Sequence, residues 1–170
     1  MADSIYNASV SLDSGVEYTV IALGNIGDGL DGPGNGNAFG LLPMVDDNRP
    51  IVTQASVKIL HAAPAAGAVD VYVTPGDAYT DADVLAGLAG DPLLDGFEFG
   101  DLTDYVRLAP NTATSNPDGY DIRIIPEATG TIATSVDNFM LPPVLVATVI
   151  ARQPAATGAP TDFNLVVLTN

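Results

Sequence analysis

Short runs in which hydrophobic and polar residues alternate dominate the chain. Residues 69–74 read Val-Asp-Val-Tyr-Val-Thr, and residues 121–124 read Asp-Ile-Arg-Ile. Alternation with a period of two predicts strands that bury one face. Residues 144–151, Val-Leu-Val-Ala-Thr-Val-Ile-Ala, are apolar on both faces. This run predicts a central strand that is covered on both sides.

Turn residues separate these runs at the short intervals that are typical of an all-β domain. The larger part of the chain contains predicted strands near residues 54–62, 68–74, 96–99, 103–108, 119–125, 131–136, 144–152 and 163–169. Three further strands are predicted near residues 5–12, 16–24 and 38–45. The pattern therefore predicts an all-β fold, an Ig-like β-sandwich.

One short helix is predicted in a loop inserted around residues 75–95. Thr80 or Asp81 can cap its start, and Asp83 suits its first turn. Gly87 and Gly90 keep the helix short. We expect this segment to cross one end of the sandwich.

The end of the chain is repeated near its start. Residues 17–23 read Glu-Tyr-Thr-Val-Ile-Ala-Leu, and 129 residues later 146–152 read Val-Ala-Thr-Val-Ile-Ala-Arg. Each copy continues through a Gly-, Pro- or Ala-rich loop into an apolar strand, at 39–45 and 163–168. A repeat of this length predicts tandem domains, since solenoid repeats are much shorter.

The repeat divides the chain into two predicted parts. Residues 1–50 would be the last strands of one unit, and residues 54–170 would be a complete second unit. A small set of strands cannot close a sandwich alone. We therefore expect residues 5–45 to extend or cap the second unit's sheet, or to pair with a second chain in a homodimer formed by strand addition.

Several segments resemble the DUF4397 family of bacterial and archaeal domains. Residues 57–73, Val-Lys-Ile-Leu-His-Ala-Ala-Pro-Ala-Ala-Gly-Ala-Val-Asp-Val-Tyr-Val, resemble the opening of that family. The segments Phe99-Gly-Asp-Leu-Thr-Asp-Tyr-Val, Tyr120-Asp-Ile-Arg-Ile-Ile-Pro and Thr148-Val-Ile-Ala are similar to its later motifs and follow in the same order. The insertion at 75–95 and the turn at 109–119 are longer than the family's usual ones. The resemblance implies tandem β-sandwich modules of secreted or surface-anchored proteins, and it implies no activity.

Charge narrows the classes of partner. The chain has 21 acidic and 5 basic residues and a formal net charge of −16. Such a surface repels the phosphates of nucleic acids and of anionic membranes, so we expect neither as a partner. No run reaches the ~20 apolar residues of a membrane-spanning helix, so direct insertion into a membrane is not expected. The chain has no cysteine, which excludes disulfides and thiolate metal sites.

Two acidic loops are candidate calcium sites. In the glycine-rich segment 24–37, Asp28, Asp31 and Asn35 could offer oxygen ligands to Ca²⁺. Asp77, Asp81 and Asp83 form a second cluster, at residues 77–83. Neither segment is an EF-hand loop, and both have simpler interpretations, as a long hairpin loop and as a helix start. No other cofactor is predicted.

Three further residues are interpreted as structural. His61 is the only histidine and continues the inward face of its strand, so a buried imidazole that bonds to backbone is expected. Asp70 lies on the polar face of its strand, and Tyr105 follows the Asp101–Asp104 turn.

No catalytic residues are predicted, because the chain has no nucleophile elbow and no arrangement of serine with its one histidine. The expected function is a non-enzymatic structural or adhesion-type binding module. It would belong to a longer protein that is secreted or displayed on the cell surface, with a protein or glycan partner. A Ca²⁺-assisted ligand-binding domain is the first alternative, and a hydrolase is a distant second.

Overall fold

A computed structural model describes residues 6–30, 37–153 and 163–169 of the chain. The described residues form ten strands and one short α-helix, which confirms the predicted all-β class. The strands are β1 (Glu17–Leu23), β2 (Gly40–Asp46), β3 (Ala55–Ala62), β4 (Val69–Pro75), β5 (Leu94–Phe97), β6 (Val106–Leu108), β7 (Tyr120–Pro126), β8 (Thr134–Phe139), β9 (Val146–Arg152) and β10 (Asn164–Thr169). The helix, α1, spans Asp81–Leu85.

Two four-stranded sheets form a sandwich. The first sheet has the order β10-β9-β3-β6 and the second has the order β5-β4-β7-β8. Every neighbouring pair is antiparallel except β3 and β9, which run parallel with Val57 opposite Ala147. This sandwich is the architecture that the alternating strands predicted.

The core lies between the inner faces of the two sheets. Val69 and Val71 of β4 and Ile124 of β7 pack with Ala151 of β9 in one buried cluster. Val57 and Val149 form a neighbouring cluster with Ala55, Tyr120 and Leu141. These are the inward positions of the period-two pattern, so the alternation of the sequence corresponds to the burial in the fold.

The helix begins where the sequence predicted. The Thr80 hydroxyl accepts a hydrogen bond from the Asp83 amide at 3.3 Å, and the Asp83 carboxylate accepts one from the Thr80 amide at 2.9 Å. This reciprocal capping box fixes the first turn. Ala86 is followed by Gly87, whose φ of +74° is a left-handed conformation that ends the helix.

A separate hairpin covers the outside of the first sheet. Strands β1 and β2 pair only with each other within the described residues, from Glu17 opposite Asp46 to Leu23 opposite Gly40. Leu23 of this hairpin packs with Leu60 of β3 and Ile150 of β9. The two central strands of the first sheet, β3 and β9, are therefore buried on both faces.

One predicted strand is wrong. Residues 6–12 of the predicted strand 5–12 have no strand structure, and residues 7–12 are exposed. A strand requires a neighbour for its backbone hydrogen bonds, and none of the described strands pairs with this segment. Elsewhere the predicted strands are present, although β5 and β8 are displaced by two or three residues from their predicted positions.

Candidate functional site

The described part of the first calcium candidate is organised as a turn. Asn25 caps a short 3-10 turn at Ile26–Asp28 by accepting a hydrogen bond from the Gly27 amide. The Asn25 side-chain amide donates to the Asp28 carboxylate at 3.1 Å. Asp31 and Asn35 lie outside the described residues. Asp28 therefore has a local structural partner, and its calcium role stays a prediction.

In the second calcium candidate, two of the three carboxylates have protein partners. Asp83 belongs to the capping box with Thr80, and Asp81 forms an ion pair with Arg123 at 2.6 Å. Asp77 has φ +58°, and its amide donates to the Asp121 carboxylate at 3.2 Å. These three aspartates thus stabilise the insertion and its contact with the sheet.

Arg123 is the centre of a network that sequence reasoning missed. Its side chain is only 7% exposed on the outer face of β7, and three carboxylates surround the guanidinium. Besides Asp81, the partners are Asp137 at 2.8 Å and the equally buried Asp121 at 3.9 Å. Burial alone would lower the pKa of Arg123, but the hydrogen bond to Asp81 and the charges of Asp137, Asp81 and Asp121 raise it above its ordinary value.

This network gives its carboxylates a cation from within the chain. The Arg123 guanidinium lies between Asp81, Asp121 and Asp137. Within residues 6–30, 37–153 and 163–169, no group of three or more histidines, aspartates and glutamates has an arrangement that could hold a metal ion. The outer face of the second sheet is therefore built around an internal ion pair.

His61 is fully buried at the end of β3. Its Nε2 donates to the Gly67 carbonyl at 2.9 Å, and its Nδ1 accepts from the Ala63 amide at 3.2 Å. The rings of Phe97 and Phe163 lie 6.2 Å from the imidazole. Both ring nitrogens are thus bonded to backbone in the neutral form, and desolvation lowers the pKa of His61 despite the opposing effects of Gly67 and Asp101.

Asp70 and Tyr105 hold chain segments together. The Asp70 carboxylate accepts a hydrogen bond from the Gly96 amide at 3.0 Å, which fixes the short edge strand β5 at an irregular point of its pairing with β4. The Tyr105 hydroxyl accepts one from the Asp47 amide at 3.3 Å, just after β2. Tyr105 therefore ties the hairpin to the sandwich.

Lys58 adds a second tie between hairpin and sandwich. Its side chain is buried on the outer face of β3, and its ammonium group donates to the Val45 carbonyl of β2. The same group lies 4.6 Å from the centre of the Tyr105 ring, which gives a cation–π contact. The only lysine of the chain is thus used in packing, a role that its place on an alternating strand did not reveal.

The space between the two sheets does not form a ligand site. It encloses about 40 Å³ and is lined by apolar side chains and the His61 ring. A water molecule would find too few polar partners there, and an apolar cavity that binds benzene measures about 150 Å³. This space is therefore a packing defect of the core.

Comparison with known proteins places the chain in a family context. The model of a domain of unknown function, DUF4397, matches residues 2–72, which confirms the relationship that the motifs predicted. The matched residues include the hairpin and strands β3 and most of β4, so they cross the predicted division between residues 1–50 and 54–170. No curated protein matches the chain. The described helix is too short to cross a membrane.

We expect the stability of the protein to fall as the pH drops below about 6.5, because His61 must stay neutral in the folded state. The unfolded chain takes up a proton near pH 6.5, while the folded chain does so only at lower pH. The stability that neutral His61 contributes is therefore complete above pH 6.5. It is lost between pH 6.5 and the lowered pKa of the folded state. Urea unfolding of the wild type and His61→Gln at intervals from pH 5 to 8 measures this. An equal pH slope in both proteins would contradict the assignment.

Removing Arg123 should lower the free energy of unfolding far more than removing an exposed arginine does. Arg123→Ala leaves the buried Asp121 carboxylate without its cation, and we expect a loss of about 3–5 kcal/mol in the free energy of unfolding. The matched control is Arg49→Ala, which breaks an exposed pair with Asp47 and should change stability little, because solvent screens that pair. Similar effects of the two substitutions in chemical denaturation would show that the buried network is unimportant.

Proposed function

We propose that this DUF4397-related chain is a non-enzymatic, structural or adhesion-type binding module of a secreted or cell-surface protein. That protein would consist of Ig-like units in tandem. The module would bind a protein or glycan partner through its sheet edges and end loops. Nucleic acids and membrane interiors are not partners in this proposal, because the chain carries a formal charge of −16.

The observation that carries the proposal is the way the hairpin is attached to the sandwich. Leu23 packs on Leu60 and Ile150, Lys58 bonds to the Val45 carbonyl, and Tyr105 bonds to the Asp47 amide. An apolar contact with polar ties on its border joins two segments firmly. Such a joint suits a protein whose work is to hold consecutive units in a fixed relation.

The use of the polar side chains supports a structural function. His61, Asp70, Asp83 and Arg123 are each bonded to backbone or to a charge of the chain itself. A catalytic group must instead reach a substrate across a cleft. These four ionisable residues thus serve the packing of the sandwich itself.

The Ig-like classification rests on the stacked sheets and on one tyrosine. The two four-stranded sheets pack face to face, and the Tyr120 hydroxyl at the start of β7 donates to the Ala109 carbonyl at 2.8 Å. A tyrosine near the start of a strand that bonds to upstream backbone is similar to the tyrosine corner of Ig-like sandwiches. Sheet edges in such folds can bind an added strand.

Antibodies raised against the purified chain would test the location. We expect them to label intact cells of the source organism, or to detect the protein in the medium, and brief protease treatment of intact cells should remove the label. An antibody against a cytosolic protein is the control for cell lysis. Signal confined to the cytosolic fraction would contradict the proposal.

The alternative function is a Ca²⁺-assisted ligand-binding domain. Thermal unfolding distinguishes this function from that of a structural module. For a structural module, melting in 2 mM Ca²⁺ and in EDTA at the same ionic strength should agree within about 1 °C. A rise of several degrees with Ca²⁺ alone would correspond to about 1 kcal/mol or more of binding linkage and would favour the alternative. Loss of that rise in Asp28→Asn or Asp77→Asn would then identify the loop.

A further inference from the structure

The hairpin and the last two strands of the sandwich are equivalent in their pairing register. In the hairpin, Ala22 lies opposite Leu41, and in the sandwich Ala151 lies opposite Leu165. The offsets of 129 residues for the first strand and 124 for the second reproduce every pair from Tyr18 to Leu23. The repeat in the sequence is thus a repeat of structure, in which β1 corresponds to β9 and β2 to β10.

The equivalence extends to the turn before the first strand of each pair. The Val16 amide donates to the Asp13 carbonyl at 3.4 Å, and the Leu145 amide donates to the Pro142 carbonyl at 3.3 Å, again 129 residues later. Gly15 and Val144 occupy the same place in these turns, with φ of +80° and +64°. A left-handed valine is uncommon, so its coincidence with the glycine is a second sign of the same local fold.

Burial is where the two copies differ. Leu12 is 59% exposed and Val20 is 47% exposed, whereas their equivalents Leu141 and Val149 are 1% and 6% exposed in the sandwich core. Ala22, on the same face of the hairpin as Val20, is exposed as well. This face, formed by Tyr18, Val20, Ala22, Leu41, Pro43 and Val45, carries no charge, and we call it the outer hairpin face.

The edge of the hairpin shows the same difference. In the sandwich, β9 pairs with β10 on one side and with β3 on the other, in parallel. In the hairpin, β1 pairs with β2 but has no second neighbour among the described strands. The edge of β1 that corresponds to the β3 side of β9 therefore has no partner strand in the described part of the chain, and we call it the open edge of β1.

We propose that the outer hairpin face and the open edge of β1 form a docking surface for strands equivalent to β3–β7 of another unit of this kind. The β3 equivalent adds in parallel to β1, and the sheet of β4, β5 and β7 equivalents covers Val20 and Leu12. Residues 6–12 then pair with the β7 equivalent as β8 does. This inference rests on the tandem organisation in the proposed function and names the partner that completes it.

A second copy of the whole chain does not offer these strands. Its own β3 is bonded on both sides, to β9 and to β6, and its second sheet already covers the inner face of β9 and β10. Docking in that form would require the copy to open its core. The occupant is therefore a unit that lacks its last strand pair, which the hairpin supplies.

The test supplies the missing strands in the same chain. Residues 54–133, which contain β3–β7, are fused directly ahead of residue 5 of the full chain, where the repeat offset places Thr134. Hydrogen exchange of residues 6–23 is compared between the fused and the original protein. We expect the β1 amides that do not bond to β2, and amides within residues 6–12, to exchange at least 10-fold more slowly in the fusion. Binding of the apolar dye anilinonaphthalene sulfonate should fall.

A matched pair of substitutions gives the control. Val20→Asp should lower the melting temperature of the original protein little, because Val20 is 47% exposed there, but it should abolish the new protection in the fusion. Val52→Asp, at a side chain that is 76% exposed and outside the hairpin, should have the same small effect in both proteins. Unchanged exchange of residues 6–23 in the fusion, or equal effects of Val20→Asp in both proteins, would overturn the proposal.

Sedimentation distinguishes the competing occupant. If the original chain is a dimer that Val20→Asp dissociates, and the fusion remains a dimer through the same face, a second copy is the occupant and the proposal is wrong. A monomeric fusion with a protected hairpin supports it. If the exchange and sedimentation tests fail but antibodies still label intact cells, the docking surface is rejected and the cell-surface function stands.

Discussion

The two central strands of the first sheet must be covered on both faces, and the rest of the structure depends on that requirement. Strands β3 and β9 present Val57 and Val149 to the core between the sheets, but they also present Leu60 and Ile150 to the opposite side. A two-sheet sandwich alone would leave these outward side chains in water. That exposure costs roughly 1.5–3 kcal/mol of stability for each large apolar residue. The hairpin removes them from water, and Leu60 becomes fully buried.

The same requirement explains how the chain uses its few cations. Lys58 and Arg123 are two of only five basic residues, and both are buried on outward faces of their sheets. Each lies beneath a covering segment, Lys58 under the hairpin and Arg123 beside the helix insertion, where it bonds to that segment. Because these charges are placed internally, the surface that solvent meets is more uniformly acidic than the composition alone implies.

Local pattern was sufficient to predict much of the fold. Alternation located the strands and the buried His61, and the Thr80–Asp83 spacing located the helix start. It failed for residues 6–12, where an apolar pattern is present but the described fold provides no neighbouring strand. The burial of Lys58 and Arg123 was also beyond prediction, since it arises from segments distant in sequence that cover an otherwise polar face. Secondary structure is thus encoded locally here, while the fate of each charged side chain depends on tertiary placement.

The packing of the hairpin on the sandwich also sets how many units can associate in this way. Ile21 and Leu42 of the hairpin meet Ile150 and Val166 of the sandwich in one cluster, and by the repeat offsets these are equivalent residues. The contact therefore joins like surface to like surface, as in an isologous twofold dimer. Such an interface closes on itself, because the patch that each unit uses to bind its neighbour is the patch that a third unit would need. In the tandem protein that we propose, units joined in this way would therefore associate in closed pairs.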